Sequence, residues 1–246
     1  MAEYQCIDKP PLSAIIRGMD RESIANALLG DTDTTPFEAA GRGSVGLFKL
    51  ADGEGVLRRC RRGGLVGKLV KEGYLFKNRP WGEFRVHEHL YDGGISVPEP
   101  LGVMWEQHGP VFRGAIATRR VEAVGLRSWI AESKGEADLV LASIGRLVSS
   151  MHDAGVYHAD LHVENILVDG ENAFLIDFDN ASLHKSLSGI QRARNLLRLR
   201  RSFQKWKMPE SAFDQILAGY GSITFPAWLD AAYRCKAKAS DLLAAS

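Results

Sequence analysis

Two short stretches in the second half of the chain hold residue types that could carry out chemistry. The first is His158-Ala-Asp-Leu-His-Val-Glu-Asn165, and the second is Leu175-Ile-Asp-Phe-Asp179. Three of their polar side chains, Asp160, Asn165 and Asp177, offer carboxylate and amide oxygens. Oxygens of this kind are the ligands that Mg²⁺ prefers in proteins. The composition of the two stretches therefore suggests chemistry that involves a hard divalent cation.

The segments between these residues are expected to bring them together. Residues 166–168 and 173–176 are short apolar runs on either side of a turn, and they predict an antiparallel hairpin. In that register Asn165 and Asp177 emerge side by side at the open end of the hairpin. Asp160 lies on the loop that leads into it. Two carboxylates and an amide oxygen are therefore expected to converge.

The rest of the second half favours helices. In 138–154, apolar residues recur on one helical face and Gly155 supplies a stop, which makes this the clearest predicted helix. The residues from about 188 onward are also predicted to be mainly helical.

The first half favours strands. Residues 45–50 and 56–60 predict a hairpin, and 111–121 predict a further strand. Helices are expected at 20–30 and 81–92. A sheet-rich first half and a helical second half predict an α+β protein in two lobes, 1–121 and 122–246.

Composition limits the function classes. The chain has 246 residues, 45% of them hydrophobic, which is enough to bury a core. Its 31 Lys and Arg nearly balance 30 Asp and Glu, so a globally basic nucleic-acid-binding protein is not expected. Three scattered cysteines predict no disulfide framework and fit a reducing cytoplasm. No signal peptide or membrane-spanning segment is expected.

The two stretches resemble the catalytic and metal-binding motifs of the protein-kinase fold. By that resemblance, Asp160 is the catalytic aspartate, and Asn165 and Asp177 hold Mg²⁺ for ATP-dependent phosphoryl transfer. Two positions depart from the pattern, since Ala159 replaces arginine and Asp179 replaces glycine. The first departure implies that no phosphorylated loop activates the protein.

A glycine-rich segment precedes the first predicted hairpin. Gly41-Arg-Gly-Ser-Val-Gly46 is followed by a strand rather than a helix, which favours a kinase phosphate loop over a dinucleotide-binding motif. The resemblance implies that Gly41, Gly43 and Gly46 cover the ATP phosphates. A tight turn is the alternative interpretation of these glycines.

The kinase fold also requires a cation for the α- and β-phosphates. Arg58 occupies the expected strand position, with Lys68 as the alternative. Glu83 on the predicted 81–92 helix is the expected partner of this cation, and Glu88 competes with it. A surface arginine on a strand remains an alternative interpretation of Arg58.

Further segments narrow the resemblance to bacterial lipopolysaccharide kinases, closest to the Kdo kinase branch. They are Gly41-Arg-Gly43, Val56-Leu-Arg-Arg-Cys-Arg-Arg-Gly-Gly-Leu65, Arg79, Glu83-Phe-Arg85 and Leu175-Ile-Asp-Phe-Asp179. The resemblance implies a peripheral enzyme at the cytoplasmic face of the inner membrane. It would use ATP and Mg²⁺ to phosphorylate a Kdo hydroxyl of Kdo-lipid A.

A basic segment gives separate support for an anionic partner. Residues 192–207 hold seven Lys and Arg and no acidic residue, with leucine and aromatic residues interleaved. Such a segment could contact anionic headgroups. The alternative is that its apolar residues are simply the core-facing side of a helix.

Two other functions are consistent with these residues. One is a small-molecule phosphotransferase of the aminoglycoside type, which shares the His-x-Asp-Leu-His pattern but generally lacks the Arg-Arg-Gly-Gly stretch. The other is a non-catalytic kinase-like module that binds lipopolysaccharide or a partner. His158, Asp160 and His162 could alternatively form a His-x-Asp-x-His metal site.

Overall fold

The structure is a computed structural model that describes residues 3–30, 34–37, 45–60, 74–75, 78–133, 137–229 and 231–233. The chain divides into two compact units. One comprises Met1–Tyr91 and Pro98–Val121, and the other comprises Asp92–Val97 and Glu122–Ser246. Gly41, Gly43, Arg61, Arg62 and Lys68 lie outside the described residues.

The first unit is built on an antiparallel sheet with strand order β1-β2-β7-β8-β5-β4-β3, and β6 pairs with β8. The strands are β1 (Tyr4–Lys9), β2 (Leu12–Arg17), β3 (Thr35–Phe37), β4 (Val45–Leu50), β5 (Gly53–Cys60), β6 (Tyr74–Leu75), β7 (Pro100–His108) and β8 (Val111–Arg119). Its helices are α1 (Arg21–Leu29) and α2 (Arg79–Asp92).

Alternation along the strands gives this sheet two apolar faces. Side chains of a strand point alternately to opposite faces. Met104 packs in a cluster with Ile24 and Leu28 of α1, whereas its neighbour Val103 packs with Phe84 of α2. Each helix therefore covers a different face of the sheet.

The first unit confirms the expected helices and central hairpin with one adjustment. The predicted 51–55 turn is too long, because Leu50 pairs directly with Gly53 and only two residues connect the strands. α1 ends at Gly30, whose φ of 86° is a left-handed conformation that glycine adopts without steric cost.

The second unit is mainly helical. Its helices are α3 (Leu126–Glu132), α4 (Ala137–Asp153), α5 (Gly189–Lys205) and α6 (Glu210–Tyr220). Its strands are β9 (Val124–Gly125), β10 (Val156–His158), β11 (Ile166–Asp169), β12 (Asn172–Leu175) and β13 (Ala181–Leu183). A short 3₁₀ helix covers Val163–Asn165.

The strongest helix prediction is confirmed to within a residue at each end. α4 buries Ile144, Val148 and Met151 on one face, and Gly155 follows it with a φ of 79°. The predicted catalytic hairpin is also present as β11 and β12, joined by a turn of two residues rather than four.

Candidate active site

The β11–β12 hairpin places two of the predicted residues next to each other. Ile166 pairs with Leu175, and the Ile176 amide donates to the Asn165 carbonyl over 3.1 Å. Asn165 directly precedes β11, and Asp177 comes two residues after β12. The two residues therefore lie close together at the open end of the hairpin. The structure brings them together as the alternation of the two strands predicts.

Asn165 is buried, and its amide group is oriented by the catalytic loop. Its Nδ2 donates to the Asp160 carbonyl at 3.0 Å. The nitrogen is thereby committed to the loop, so the amide oxygen is the atom suited to bind a cation. This contact also links the backbone of the predicted base to a predicted metal ligand.

Asp177 adopts a φ of 64°, which is uncommon for a residue other than glycine. Aspartate tolerates this left-handed conformation better than most residues. The unusual dihedral turns the chain sharply just after β12, and the Asp177 side chain is exposed there. Backbone strain at such a position is typical of functional sites.

His158 connects the catalytic loop to the segment around Asp177. Its Nε2 lies 3.1 Å from the Ile176 carbonyl, and its Nδ1 accepts from the Asp160 amide at 3.4 Å. The ring packs on Phe178 at a centroid separation of 5.2 Å. Burial lowers the pKa of His158, so the neutral ring, with its proton on Nε2, satisfies both contacts.

This arrangement supports a structural role for His158 over a metal-binding one. Both ring nitrogens are committed to backbone groups, so the His-x-Asp-x-His interpretation loses its first ligand. Within the described ranges, no group of three or more His, Cys, Asp or Glu residues is arranged to hold a metal ion.

Asp160 is half exposed and has a basic group beside each carboxylate oxygen. Its Oδ1 lies 3.3 Å from Arg198 Nη1, and its Oδ2 lies 3.6 Å from His162 Nε2. His162, and then the charge of Arg198, lower the pKa of Asp160, although partial burial acts in the opposite direction. Asp160 is therefore ionised at neutral pH and can accept a hydrogen bond from a hydroxyl group.

Helix α5 fixes this loop at three points that the sequence interpretation missed. Asn195, Arg198 and Ser202 are spaced three and four residues apart, so they share one helical face. Asn195 bonds both the amide and the carbonyl of His158, at 3.1 and 3.0 Å. Ser202 Oγ accepts from the Val163 amide at 3.1 Å.

The basic segment 192–207 contains a sequence pattern that indicates these contacts. Asn195 and Ser202 are polar residues on an otherwise apolar stripe, and a buried polar side chain requires a partner. The catalytic loop is that partner for both residues. Their helical spacing could have been recognised, whereas the loop they contact could not have been identified from periodicity alone.

In the first unit, Arg58 and Glu83 form the predicted pair. Arg58 of β5 lies on the sheet face that α2 covers, and its guanidinium is bonded to the carboxylate of Glu83. The Glu83 side chain is only 4% exposed, which strengthens its interaction with a cation. Glu88 instead accepts from the Tyr4 hydroxyl at 2.8 Å on the surface.

Gly46, the described glycine of the glycine-rich segment, lies in β4. A Cβ atom at this position would come within 2.5 Å of the Thr34 side chain. Close packing therefore already requires a small residue there. The predicted contact of Gly46 with the ATP phosphates would be a second reason for glycine here, in addition to its packing against Thr34.

The apolar residues of the basic segment 192–207 decide between its two interpretations. Leu196, Leu197, Leu199 and Phe203 are buried in the core of the second unit. Their spacing around α5 explains the interleaved pattern. The alternative interpretation of these apolar residues, as the core face of a helix, is therefore correct.

Several cations of this segment have partners within the second unit. Arg192 bonds to Asp153 at 2.7 Å, and Arg200 bonds to Glu210 at 2.6 Å. Outside the buried face, Trp206 is 42% exposed. A membrane contact through this segment would therefore depend mainly on its exposed cations.

Among the residues that the structure describes, no helix is both long and apolar enough to cross a bilayer.

Comparison with known proteins agrees with the geometry of the site. Residues 31–220 match the lipopolysaccharide kinase (Kdo/WaaP) family. A 3-deoxy-D-manno-octulosonic acid kinase of Vibrio cholerae is 39% identical over 173 residues, covering 68% of this chain and 72% of that protein. The Vibrio parahaemolyticus kinase of the same description is 34% identical over 179 residues, covering 71% and 74%.

Solved structures support the fold. WaaP in complex with acyl carrier protein aligns with a TM-score of 0.61 and 16% identity, covering 89% of this chain and 92% of that one. Spectinomycin phosphotransferase, in complex with ADP and spectinomycin, aligns with a TM-score of 0.54 and 13% identity, covering 80% and 77%. The expected α+β kinase-like fold is thereby confirmed. The chain belongs to the lipopolysaccharide kinase (Kdo/WaaP) family and is a phosphotransferase that acts on a sugar hydroxyl.

Proposed function

We propose that this chain transfers the γ-phosphoryl group of ATP to a hydroxyl of 3-deoxy-D-manno-octulosonic acid (Kdo) in Kdo-lipid A. The observation that carries the proposal is the arrangement of Asp160, Asn165 and Asp177 around the buried ring of His158. The identity to kinases of this description, 39% for the Vibrio cholerae protein, supports the choice of acceptor. Membership of a kinase family supports the use of ATP.

Asp160 would act on the acceptor. Its carboxylate is ionised and half exposed, so it can accept a hydrogen bond from the sugar hydroxyl and hold the oxygen in line for attack. As the new O–P bond forms, the bond between the γ-phosphorus and the β,γ-bridging oxygen breaks, ADP leaves, and the hydroxyl proton passes to an Asp160 oxygen. Phosphoryl transfer depends mainly on positioning and charge stabilisation. A carboxylate whose pKa is lowered can therefore serve, because it need not be a strong base.

Asn165 and Asp177 would hold Mg²⁺. An amide oxygen beside a carboxylate fits this cation, since both are hard oxygen ligands. When bound, Mg²⁺ neutralises charge on the ATP phosphates and on the transition state. The hydrogen bond from Asn165 Nδ2 to the Asp160 carbonyl would keep the amide oxygen oriented toward that site.

Residues of the first unit would hold the rest of the nucleotide. We assign the α- and β-phosphates to Arg58, which Glu83 keeps in a fixed orientation. Gly41, Gly43 and Gly46 would let the backbone approach the phosphates closely. The division of roles follows the predicted lobes, with nucleotide phosphates on 1–121 and catalysis on 122–246.

We also propose that the protein binds peripherally to the cytoplasmic face of the inner membrane through 192–207. Arg194, Lys205 and Lys207 are exposed on this segment, and each cation near an anionic surface contributes on the order of 1 kcal/mol. Sedimentation with phosphatidylglycerol vesicles should fall when these three are changed to glutamine, and phosphatidylcholine vesicles serve as the control. Equal sedimentation of both proteins would contradict this proposal.

The test of the proposed reaction is transfer of label from γ-labelled ATP in the presence of Mg²⁺. Kdo-lipid A, a heptosylated lipopolysaccharide core, an aminoglycoside and a generic protein are offered in parallel. We expect label on Kdo-lipid A. Asp160→Asn should reduce kcat by roughly 10²- to 10⁴-fold, the usual contribution of a positioned acid–base group.

The Asp160→Asn protein must remain folded for this result to count, and its melting temperature should match that of the parent. If label appears on the aminoglycoside alone, the acceptor is a small molecule and not Kdo-lipid A. Wild-type turnover by Asp160→Asn would remove Asp160 from the catalytic role. ATP binding without transfer to any acceptor would favour a binding module.

A further inference from the structure

The contact between α5 and the catalytic loop suggests how the acceptor is recognised. We propose that Arg198 is a specificity residue that binds the carboxylate of the acceptor sugar, and thereby presents a hydroxyl of the same sugar to Asp160. This inference rests on the proposed Kdo acceptor, because it concerns the acidic group of that sugar.

The position of Arg198 supports this role. Its Nη1 lies 3.3 Å from Asp160 Oδ1, so any group that Arg198 binds lies close to the hydroxyl that Asp160 binds. Hydrogen bonds of this kind are about 3 Å long. A carboxylate on Nη1 and a hydroxyl on Asp160 are therefore within the reach of a single sugar residue.

Arg198 also keeps bonding capacity for a ligand. Its side chain is 41% exposed, while its Nε is buried and has no hydrogen-bond partner among the described residues. The terminal end of the guanidinium lies beside Asp160 through Nη1. That planar, permanently charged end is suited to bind a carboxylate through two parallel hydrogen bonds.

The effect of Arg198 on Asp160 also supports a ligand for Arg198. A cation beside Asp160 stabilises the ionised carboxylate, and this weakens it as a proton acceptor. The catalytic role of Asp160 does not require this effect, because phosphoryl transfer depends mainly on positioning. An arginine at this position is better explained if it has a ligand of its own, and an acid sugar supplies an anion on the same residue as the accepting hydroxyl.

The backbone of α5 makes this placement rigid. Asn195 and Ser202, on either side of Arg198 along the same face, bond to the loop backbone at His158 and Val163. The separation between Arg198 and Asp160 is therefore set by two buried anchors rather than by the flexible arginine alone. Rigid placement of this kind is what discrimination between similar acceptors requires.

The test compares two acceptors that differ only in charge. One is Kdo-lipid A, and the other is the same molecule with the Kdo carboxylate converted to a primary amide. For the wild-type protein, we expect kcat/KM to be roughly 10- to 100-fold lower with the amide, the range for a charge-assisted hydrogen bond. Arg198→Gln should lose activity with the acid but very little with the amide, so that the preference disappears.

Two further variants make the result specific. Arg198→Lys keeps the charge without the planar fork and should restore part of the preference. Arg146→Gln removes an exposed arginine of α4 and should leave the preference unchanged. Melting temperatures identify any variant that fails to fold, and in that event the amide acceptor with the wild-type protein still tests the proposal.

The outcomes separate the two proposals. If the wild-type protein uses the acid and the amide equally well, the carboxylate is not recognised and the role of Arg198 is wrong. If Arg198→Gln loses the same factor with both acceptors, Arg198 positions Asp160 or contacts the phosphoryl group instead. If the wild-type protein phosphorylates neither Kdo acceptor but another molecule, the proposed function itself fails.

Discussion

Asp177 combines a backbone requirement with a chemical one. Its φ of 64° favours glycine, asparagine and aspartate, whereas Mg²⁺ requires its carboxylate. Asp177→Asn should therefore keep the stability of the parent and lose most of its Mg²⁺-dependent nucleotide binding. Asp177→Ala should lose the same binding and, in addition, about 1 kcal/mol of stability, because a Cβ without a local polar contact is strained in this conformation.

Calorimetry with ATP, in the presence of Mg²⁺ and of EDTA, measures the first effect, and urea denaturation measures the second. Unchanged Mg²⁺-dependent binding by Asp177→Asn would show that Asp177 is not the metal ligand. A pair of variants is needed because either change alone could be attributed to misfolding.

Glu83 and Glu88 allow the proposed phosphate-binding role of the Arg58 pair to be tested against a surface hydrogen bond. Glu83 is buried and bonded to Arg58, whereas Glu88 lies one turn further along α2 and bonds to Tyr4 on the surface. Glu83→Gln should raise the KM for ATP roughly tenfold, about the value of one charge-assisted interaction. Steady-state kinetics at varied ATP measures this, with Glu88→Gln as the comparison.

An equal rise in KM for Glu88→Gln would contradict the assignment of Glu83. If the KM for ATP rises in neither variant, Arg58 does not bind the ATP phosphates and is a structural residue of the sheet.

The sequence was sufficient to group the site residues that lie close together in the chain. Asp160, Asn165 and Asp177 lie within one loop and one hairpin, so the alternation of two short strands was enough to group them. Arg198 lies 38 residues beyond Asp160 in the chain, and only the packing of α5 brings the two together. No periodicity in the sequence encodes that contact.

Helices α4 and α6 approach each other through glycines. A Cβ on Gly219 would lie 1.9 Å from the Ala142 carbonyl oxygen, and one on Gly145 would lie 2.0 Å from the Ile216 carbonyl oxygen. The obstacles are backbone atoms, which cannot rotate away as a side chain can. Gly219→Ala should therefore destabilise the protein by about 1–3 kcal/mol, the usual cost of overpacking.

Gly82 on α2 provides the matched control, because nothing lies within 4 Å of a Cβ at that position. Gly82→Ala should stabilise the protein by roughly 0.5–1 kcal/mol through helix propensity. Urea denaturation of both variants measures whether each substitution raises or lowers the free energy of unfolding. Stabilisation by Gly219→Ala would mean that α4 and α6 are not in close contact in solution.

Elements were predicted where their burial pattern is periodic. α4 was found because its buried face repeats every three or four residues, and the β4–β5 hairpin was found because its strands surround a glycine-containing turn. β1 was missed because nearly every one of its residues is exposed, so an edge strand of this kind shows no alternation. β7 was missed because five consecutive residues are buried, which removes the period of two.

For the whole molecule, buried histidines make stability depend on pH. His87 in the first unit and His152 in the second are buried, and burial lowers the pKa of each to about 4. His87 Nε2 contacts the Pro98 carbonyl at 2.6 Å. The two nitrogens of His152 contact Tyr220 at 2.9 Å and Asn195 at 3.0 Å.

The direction of the effect follows from the two pKa values. In the unfolded chain these histidines titrate near 6.5, so between pH 6.5 and about 4 the unfolded state binds more protons than the folded state. The stabilisation from each neutral histidine is fully present above pH 6.5 and is lost as the pH falls toward 4. Each should contribute a loss of roughly 2 kcal/mol between pH 7.5 and pH 5.

The measurement is the free energy of unfolding in urea at pH 7.5 and at pH 5. His152→Gln lacks one of these buried titrating groups, so its loss over this interval should be about 2 kcal/mol smaller than that of the parent. His108→Gln removes an exposed histidine of β7 and should leave the difference unchanged. Because Asn195 joins His152 to the backbone of His158, protonation of His152 would also disturb the catalytic loop. If His152→Gln loses as much stability as the parent at pH 5, then His152 is already protonated in the folded protein and the buried network around Asn195 is arranged differently.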